Sequence, residues 1–279
     1  IQSVNAEQNR RVAAVVPVHI GGEPCAMSDI LDVCRPLRIP VVEDAAHALP
    51  TVTDSGTAGC VGETGVYSFY ATKTITTGEG GMIVTDDDDI ADRMRITRLH
   101  GIDRPIWDRY SKPKKRGWEY DIVAVGFKYN MPDLAAAIGR AQLRKADRFY
   151  RKRKQIADRY REELSRYDFI ELPRDIPGHS YHLFTILLDP TKLDIDRDEF
   201  ADELAARGIG TSVHYKPLHL MSYYRNRYDF VDTDFPNALE RFKRTLSLPI
   251  YPDLTENNVT DIIREVAETG VRHYTANVR

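Results

Sequence analysis

Long apolar runs are missing from the sequence. None approaches the length of a bilayer-spanning helix. An excess of charge of one sign is missing too. Lys and Arg number 39 against 42 Asp and Glu, a formal net charge of −3, which argues against general binding to nucleic acid or to an anionic membrane surface. Cysteine is scarce. Cys25, Cys34 and Cys60 form neither a metal-ligand spacing nor an even disulfide set, so the expectation is a protein of a reducing cytoplasm. The histidines show no His-x-x-x-His spacing, and no P-loop or Ser-His-Asp arrangement is visible. These absences point away from metal, nucleotide-triphosphatase and serine-hydrolase chemistry. No internal repeat or low-complexity tract is seen.

What the sequence does hold is a chain of 279 residues, 42% hydrophobic and 29% charged, the profile of an ordinary globular protein that divides into two unequal parts. Its first hundred residues alternate strand-like and helical patterns. Val12–His19, Ile39–Asp44, Gly65–Tyr70 and Gly80–Asp86 read as strands. A helix over Ser28–Leu37, capped by Ser28, and one following Asp86–Asp89 lie between them. Near-continuous Val/Ile strands with intervening helices predict a parallel sheet covered on both faces. Ligands in such sheets sit beyond the carboxyl ends of the strands. From Pro132 to about Ser165 the spacing predicts one long helix or two in line. Beyond it, strands at Tyr181–Leu188 and Ile209–Tyr215 and helices near Arg197–Arg207, Asn237–Leu246 and Glu256–Glu268 read as α+β.

Two residues stand out at strand ends. Asp44 closes "VVED", and Lys73 follows "VYSF" in the stretch "SFYATKTITTGEGG". Either alone reads as a cap or a surface charge. Together, at the ends of successive strands of one sheet, they supply what a pyridoxal phosphate (PLP) enzyme requires: an amine for the Schiff base and an acid for the pyridinium nitrogen.

The motifs "VVEDAAHAL", "GVYSFYATKTITTGEGGMIVTDD", "LHGIDR", "GFKYNMPDLAAAIG", "TSVHYKPLHL" and "LSLPIYPDLT" follow in that order. This series resembles the nucleotide-sugar aminotransferases, fold-type I PLP enzymes. "FYATKTIT" and "GFKYNMPD" carry a closer likeness to the enzymes that form 4-amino-4-deoxy sugars. The resemblance implies an α/β fold, a mostly parallel sheet flanked by helices, with a smaller C-terminal α+β domain. It implies a PLP-binding large domain over 1–130, a long linking helix over 131–166 and a small domain over 167–279. It also implies roles. Lys73 would form the Schiff base and carry the proton of the 1,3-shift, and Asp44 would bind the pyridine nitrogen. His47 would contact the 3-hydroxyl, and Ser68 the phosphate. Asn130 would reach the phosphate of a neighbouring subunit in a homodimer with shared sites. His214 and Tyr215 would lie near the sugar or co-substrate, and the basic loop Lys112–Arg116 could meet a nucleotide diphosphate. The reaction implied is transfer of an amino group, with glutamate as donor, to a keto-sugar linked to a nucleotide, with the cofactor cycling between PLP and PMP. The product would be an amino sugar for polysaccharide or lipid A type glycans.

Family features that precede the point matching Val12, namely an N-terminal helix, a phosphate-binding "SGT"-type loop and a ring-stacking aromatic, have no counterpart in this sequence. It therefore reads as a chain lacking the N-terminal portion of its large domain. Two other readings compete: a non-catalytic or truncated family member acting as a binding or regulatory protein, and a PLP-dependent sugar dehydratase. Lys73 counts against the dehydratases, which carry His at that position.

Overall fold

The structure, a computed structural model, describes residues 12–103 and 120–275. The described chain divides into two compact units. The first runs to Ala146, and the second from Asp147 with Gly21–Glu23 joined to it. No helix among the described residues is long and apolar enough to cross a membrane.

In the first unit, α1 (Met27–Cys34) buries Met27, Leu31 and Cys34 against Ile39 and Val41. The expected Ser28 cap is not formed. Ser28 falls inside the first turn, and Asp54 serves that turn instead, accepting from the Ser28 amide at 3.2 Å and its hydroxyl at 2.5 Å.

Strand β1 (Val42–Asp44) is followed by a two-stranded hairpin, β2 (Val52–Thr53) and β3 (Gly56–Thr57), and then by β4 (Thr64–Ser68). β1 and β4 pair in parallel, with Asp44 opposite Val66. On the other side of β1 the predicted strand Val12–His19 is reduced to two parallel bridges, Val15 with Val41 and Val18 with Asp44. Pro17 lies between them and has no N–H to give the ladder. Strand β5 (Gly81–Val84) pairs antiparallel with β4, so the sheet is parallel at its centre and antiparallel at this edge. The connection between them explains the reversal. Phe69 N–H donates to the Gly80 carbonyl at 2.8 Å and Thr77 N–H to the Phe69 carbonyl at 2.9 Å, so the loop folds back on its own neck. Gly80 turns at φ 148°, where an added Cβ would stand 2.6 Å from the Thr77 hydroxyl. Helix α2 (Asp88–Thr97) starts at Asp87, whose carboxylate accepts from the Ile90 amide at 2.9 Å. Helix α3 (Asp133–Leu143) begins after Pro132, and α4 (Ala146–Leu164) follows across Arg144–Lys145, so the long predicted helix is two.

The second unit is built on the antiparallel sheet β6 (Ile170–Glu171), β7 (Phe184–Leu188) and β8 (Thr245–Leu248), with β7 central. The helices α4, α5 (Arg197–Ala206) and α8 (Glu256–Arg272) supply its core. Between the last two lie α6 (Ser222–Tyr228) and α7 (Pro236–Arg244). Tyr160, Phe184, Phe200, Leu204 and Val266 are fully buried, each contributing on the order of 2 kcal/mol. Asp196 and Glu199 form a capping box at α5. Two predicted elements differ. Ile209–Tyr215 makes only the Ser212–Ser247 bridge. The helix drawn to Leu246 ends at Arg244, because Thr245–Leu248 is claimed by β7 as a buried strand.

Candidate active site

Parallel strands deliver their carboxyl ends to one edge. β1 and β4 are neighbours and parallel, so the residues that leave them emerge together. Asp44 ends β1, and His47 follows in the next turn, buried. Ser68 ends β4, and Lys73 follows on the connection to β5. Both backbone groups of Asp44 are tied to the Pro17–His19 segment, its N–H donating to Pro17 O at 2.9 Å and its carbonyl accepting from His19 N–H at 3.1 Å. Its carboxylate turns back to accept from the Ala46 amide at 3.0 Å. Burial lowers the proton affinity of the half-buried Lys73 amine, and the negative charge of Asp44 pulls the other way. The acid is thus within electrostatic reach of the amine, and the amine is nearer to its nucleophilic form than a solvated lysine.

Ser68 Oγ accepts from the Tyr70 amide at 3.3 Å. Asn130 also belongs to the first unit, where its side-chain oxygen accepts from the Lys128 ammonium. His214 and Tyr215 belong to the second unit. His214 Nδ1 meets Ser247 Oγ at 2.8 Å, which meets Thr185 Oγ1 at 3.0 Å. The rings of His214 and Tyr215 stand edge to face at 4.8 Å. The basic loop Lys112–Arg116 lies outside the described residues.

Behind Asp44 is a pair that sequence reading passed over. Glu43 is fully buried. Its carboxylate accepts from the amides of Gly59, Val61 and Gly62, each at 2.7 Å, and from His19 Nε2 at 3.0 Å. Burial alone would raise this carboxyl. The His19 ring N–H and the three amides outweigh it and hold it down at about 2. The Cys25 amide donates to His19 Nδ1 at 3.0 Å, which places the ring proton on Nε2, facing Glu43. Glu43 and His19 therefore clamp the strand end that carries Asp44 to the loop Ala58–Gly62. Tyr67 adds to the clamp, its hydroxyl donating to Ala58 O at 2.5 Å. The signal in the sequence was a second acid inside a Val-rich strand, followed downstream by "GCVG".

The donor set fits pyridoxal phosphate. One sheet edge offers a carboxylate, an imidazole, a hydroxyl and an amine of lowered proton affinity, and PLP chemistry calls for an amine and for an acid partner to the ring nitrogen. Residues 1–267 match the DegT/DnrJ/EryC1/StrS aminotransferase family. The chain belongs to that family. SpsC of Bacillus subtilis, a spore coat polysaccharide biosynthesis protein, is 41% identical over 261 residues, covering 92% of this chain and 67% of SpsC. Among solved structures, Helicobacter pylori PseC, an aminotransferase involved in the biosynthesis of pseudoaminic acid, superposes with a TM-score of 0.85 at 25% identity. The match covers 97% of this chain and 70% of PseC. Spr1654 of Streptococcus pneumoniae, solved in PMP- and PLP-forms, superposes with TM-scores of 0.84 and 0.82 at 28% identity. Each match covers 93% of this chain, and they cover 69% and 68% of Spr1654.

The fold is that of the fold-type I PLP aminotransferases. Membership of the DegT/DnrJ/EryC1/StrS family makes the chain an aminotransferase, with pyridoxal 5'-phosphate as its cofactor and sugars as its substrate class.

Proposed function

We propose that the protein transfers an amino group from an amino acid, glutamate being the expected donor, to a keto-sugar carried on a nucleotide. Asp44, His47, Ser68 and Lys73 form the cofactor site. The observation that carries this reading is the convergence of Asp44 and Lys73 at one sheet edge, the charge of one acting on the amine of the other. PLP supplies an electron sink at the carbon that bears the amino group. The protein supplies the rest. Asp44 keeps the ring nitrogen protonated. Lys73 would hold the cofactor through its amine while the site is free of substrate, and that amine, once released, would carry the proton of the 1,3-shift. His47 donates to the phenolic oxygen, and Ser68 to the phosphate. His214 and Tyr215 bind the sugar or the amino donor.

We place the PLP-binding domain at 1–130, the linking helical segment at 131–166 and the small domain at 167–279. We also place two copies in a homodimer in which Asn130 of one serves the phosphate site of the other. Val125, Tyr129 and Leu134, close to Asn130 in the sequence, are 92, 75 and 82% exposed, and this apolar surface, which a second copy would cover, supports that arrangement. The test is turnover of a panel of nucleotide-linked 4-keto and 3-keto sugars with glutamate, glutamine and alanine, read as 2-oxo acid release and product mass. The reading predicts an amino sugar from at least one nucleotide-linked substrate with glutamate. Turnover of free keto-sugars with no gain from the nucleotide would refute the nucleotide-linked substrate.

A further inference from the structure

A cavity of about 550 Å3 opens in the second unit, where the end of β7, the segment leading into α5 and the last turns of α7 meet. None of the residues proposed for the cofactor or the substrate lines it. Leu188, Pro190, Leu193, Ile195 and Phe242 make its walls apolar. Ligand cavities of this size combine such walls with a few polar groups that fix a ligand.

The polar groups here are charged, and the fold has used them unequally. The three acids are engaged. Asp196 accepts from the amides of Asp198 and Glu199 at 2.8 and 2.9 Å. Asp198 accepts from Arg197 Nε at 2.7 Å, and Glu240 from Arg244 Nη1 at 2.6 Å. Arg244 also donates to the Leu188 carbonyl and to Glu171. The other two cations keep unused donors. Lys243 makes no ion pair or hydrogen bond among the described residues. Arg197 is 7% exposed, and its guanidinium carbon lies 5.0 Å from the centre of the Phe242 ring, one of the cavity walls. Its Nη1 donates to the carbonyls of Phe242 and Thr245 at 3.0 and 2.8 Å. Its Nη2 has no hydrogen-bond partner among the described residues and is not sealed, so solvent touches it. In a side chain otherwise buried against the cavity, the cavity is where that contact lies.

We propose that this cavity is a binding site for a small monocarboxylate with an apolar body. Two donors stand unused, Arg197 Nη2 and the Lys243 ammonium, and a carboxylate has two oxygens to meet them. The body of the ligand covers the apolar walls and removes their surface from water. A doubly charged anion fits less well, because Asp196, Asp198 and Glu240 line the same space. The site uses second-unit residues alone and does not depend on the assignment of Lys73.

The experiment titrates the PLP-loaded protein with hexanoate, 1-hexanol and acetate, following the methyl resonances of Leu188 and Leu193 by NMR. Hexanoate is expected to shift these methyls saturably. It should bind at least about tenfold more tightly than hexanol, which lacks the charge, and than acetate, which lacks the body. Arg197→Met and Lys243→Met should each weaken hexanoate by about fivefold or more and leave hexanol unchanged. Arg197→Met also strands the Phe242 and Thr245 carbonyls, so Lys243→Met, which removes no bond of the fold, decides the matter where the Arg197 variant does not fold. Hexanoate that leaves the two leucine methyls unshifted, that binds no more tightly than hexanol, or that binds Lys243→Met as tightly as the unaltered protein overturns the proposal.

Discussion

Substituting Glu43 with Gln tests how the strand end that carries Asp44 is held. The carboxylate is fully buried and takes four donors, the His19 ring and Gly59 on one oxygen and Val61 and Gly62 on the other. A glutamine keeps the shape but turns one oxygen into an NH2 donor. Whichever way the amide sits, two buried donors lose their acceptor. At about 1–3 kcal/mol for each unmet group, the loss is about 2–6 kcal/mol. Proton linkage gives an independent figure. The carboxyl, ordinarily near 4.5, is held at about 2, which at about 1.4 kcal/mol per pH unit is worth about 3 kcal/mol. Its native value lies below its unfolded one, so the unfolded chain takes up the proton first as the solution is acidified. The stabilisation is therefore complete above pH 4.5 and disappears as the pH falls through about 2. Urea unfolding of both proteins from pH 7 to pH 2 measures it. The stability gap between them is expected to be about 3 kcal/mol at pH 7 and to close below pH 4.5. A gap under 1 kcal/mol at pH 7, or one that does not close in acid, would refute the reasoning.

Two further outcomes are expected in the second unit. Arg153 is buried, and its Nη1 donates to the carbonyls of Tyr181, His182 and Ile250 at 3.2, 3.2 and 2.7 Å. Burial lowers its guanidinium only to about 10, so it stays charged at neutral pH. Arg153→Met should cost about 3 kcal/mol in chemical unfolding by stranding those acceptors, and a loss below 1 kcal/mol would show that the cage is not a tie. His273 bridges Asp194 at 2.7 Å and Glu203 at 2.6 Å. The hydrogen bond to Asp194, and after it the one to Glu203, raises its pKa above the ordinary 6.5. That contribution is full below pH 6.5 and is lost as the pH rises through the elevated native value. His273→Gln should therefore lower stability at pH 6 and converge on the unaltered protein as the pH rises through that elevated value. A pH-independent difference would reject the charge-based account.

Elements governed by local pattern were the legible ones. Asp87 before α2 and the apolar stripe Ile156, Tyr160 and Leu164 on α4 announced themselves at helical spacing. The residues proposed for the site were legible because their chemistry is dictated by position: an acid and an amine at strand ends. What was not legible depends on partners far along the chain. Ser28 reads as a cap until Asp54 occupies that role. Thr245–Leu248 reads as a helix end until β7 pairs with it. β5 runs antiparallel because the Lys73 loop closes on Phe69 and Gly80, contacts that periodicity does not encode. Glu43 was hidden by its neighbour. Adjacent strand residues face opposite ways, so one acid of "VVED" belongs to the proposed site and the other to the fold beneath it.

The central claim is that Lys73 is the residue to which the cofactor attaches. The direct measurement is borohydride reduction of the purified protein after incubation with PLP, followed by peptide mass mapping. The account predicts a pyridoxyl mass on the peptide containing Lys73, and the loss of both that mass and the yellow absorbance in Lys73→Ala. Specific modification of another lysine, with Lys73 unaltered, would contradict it.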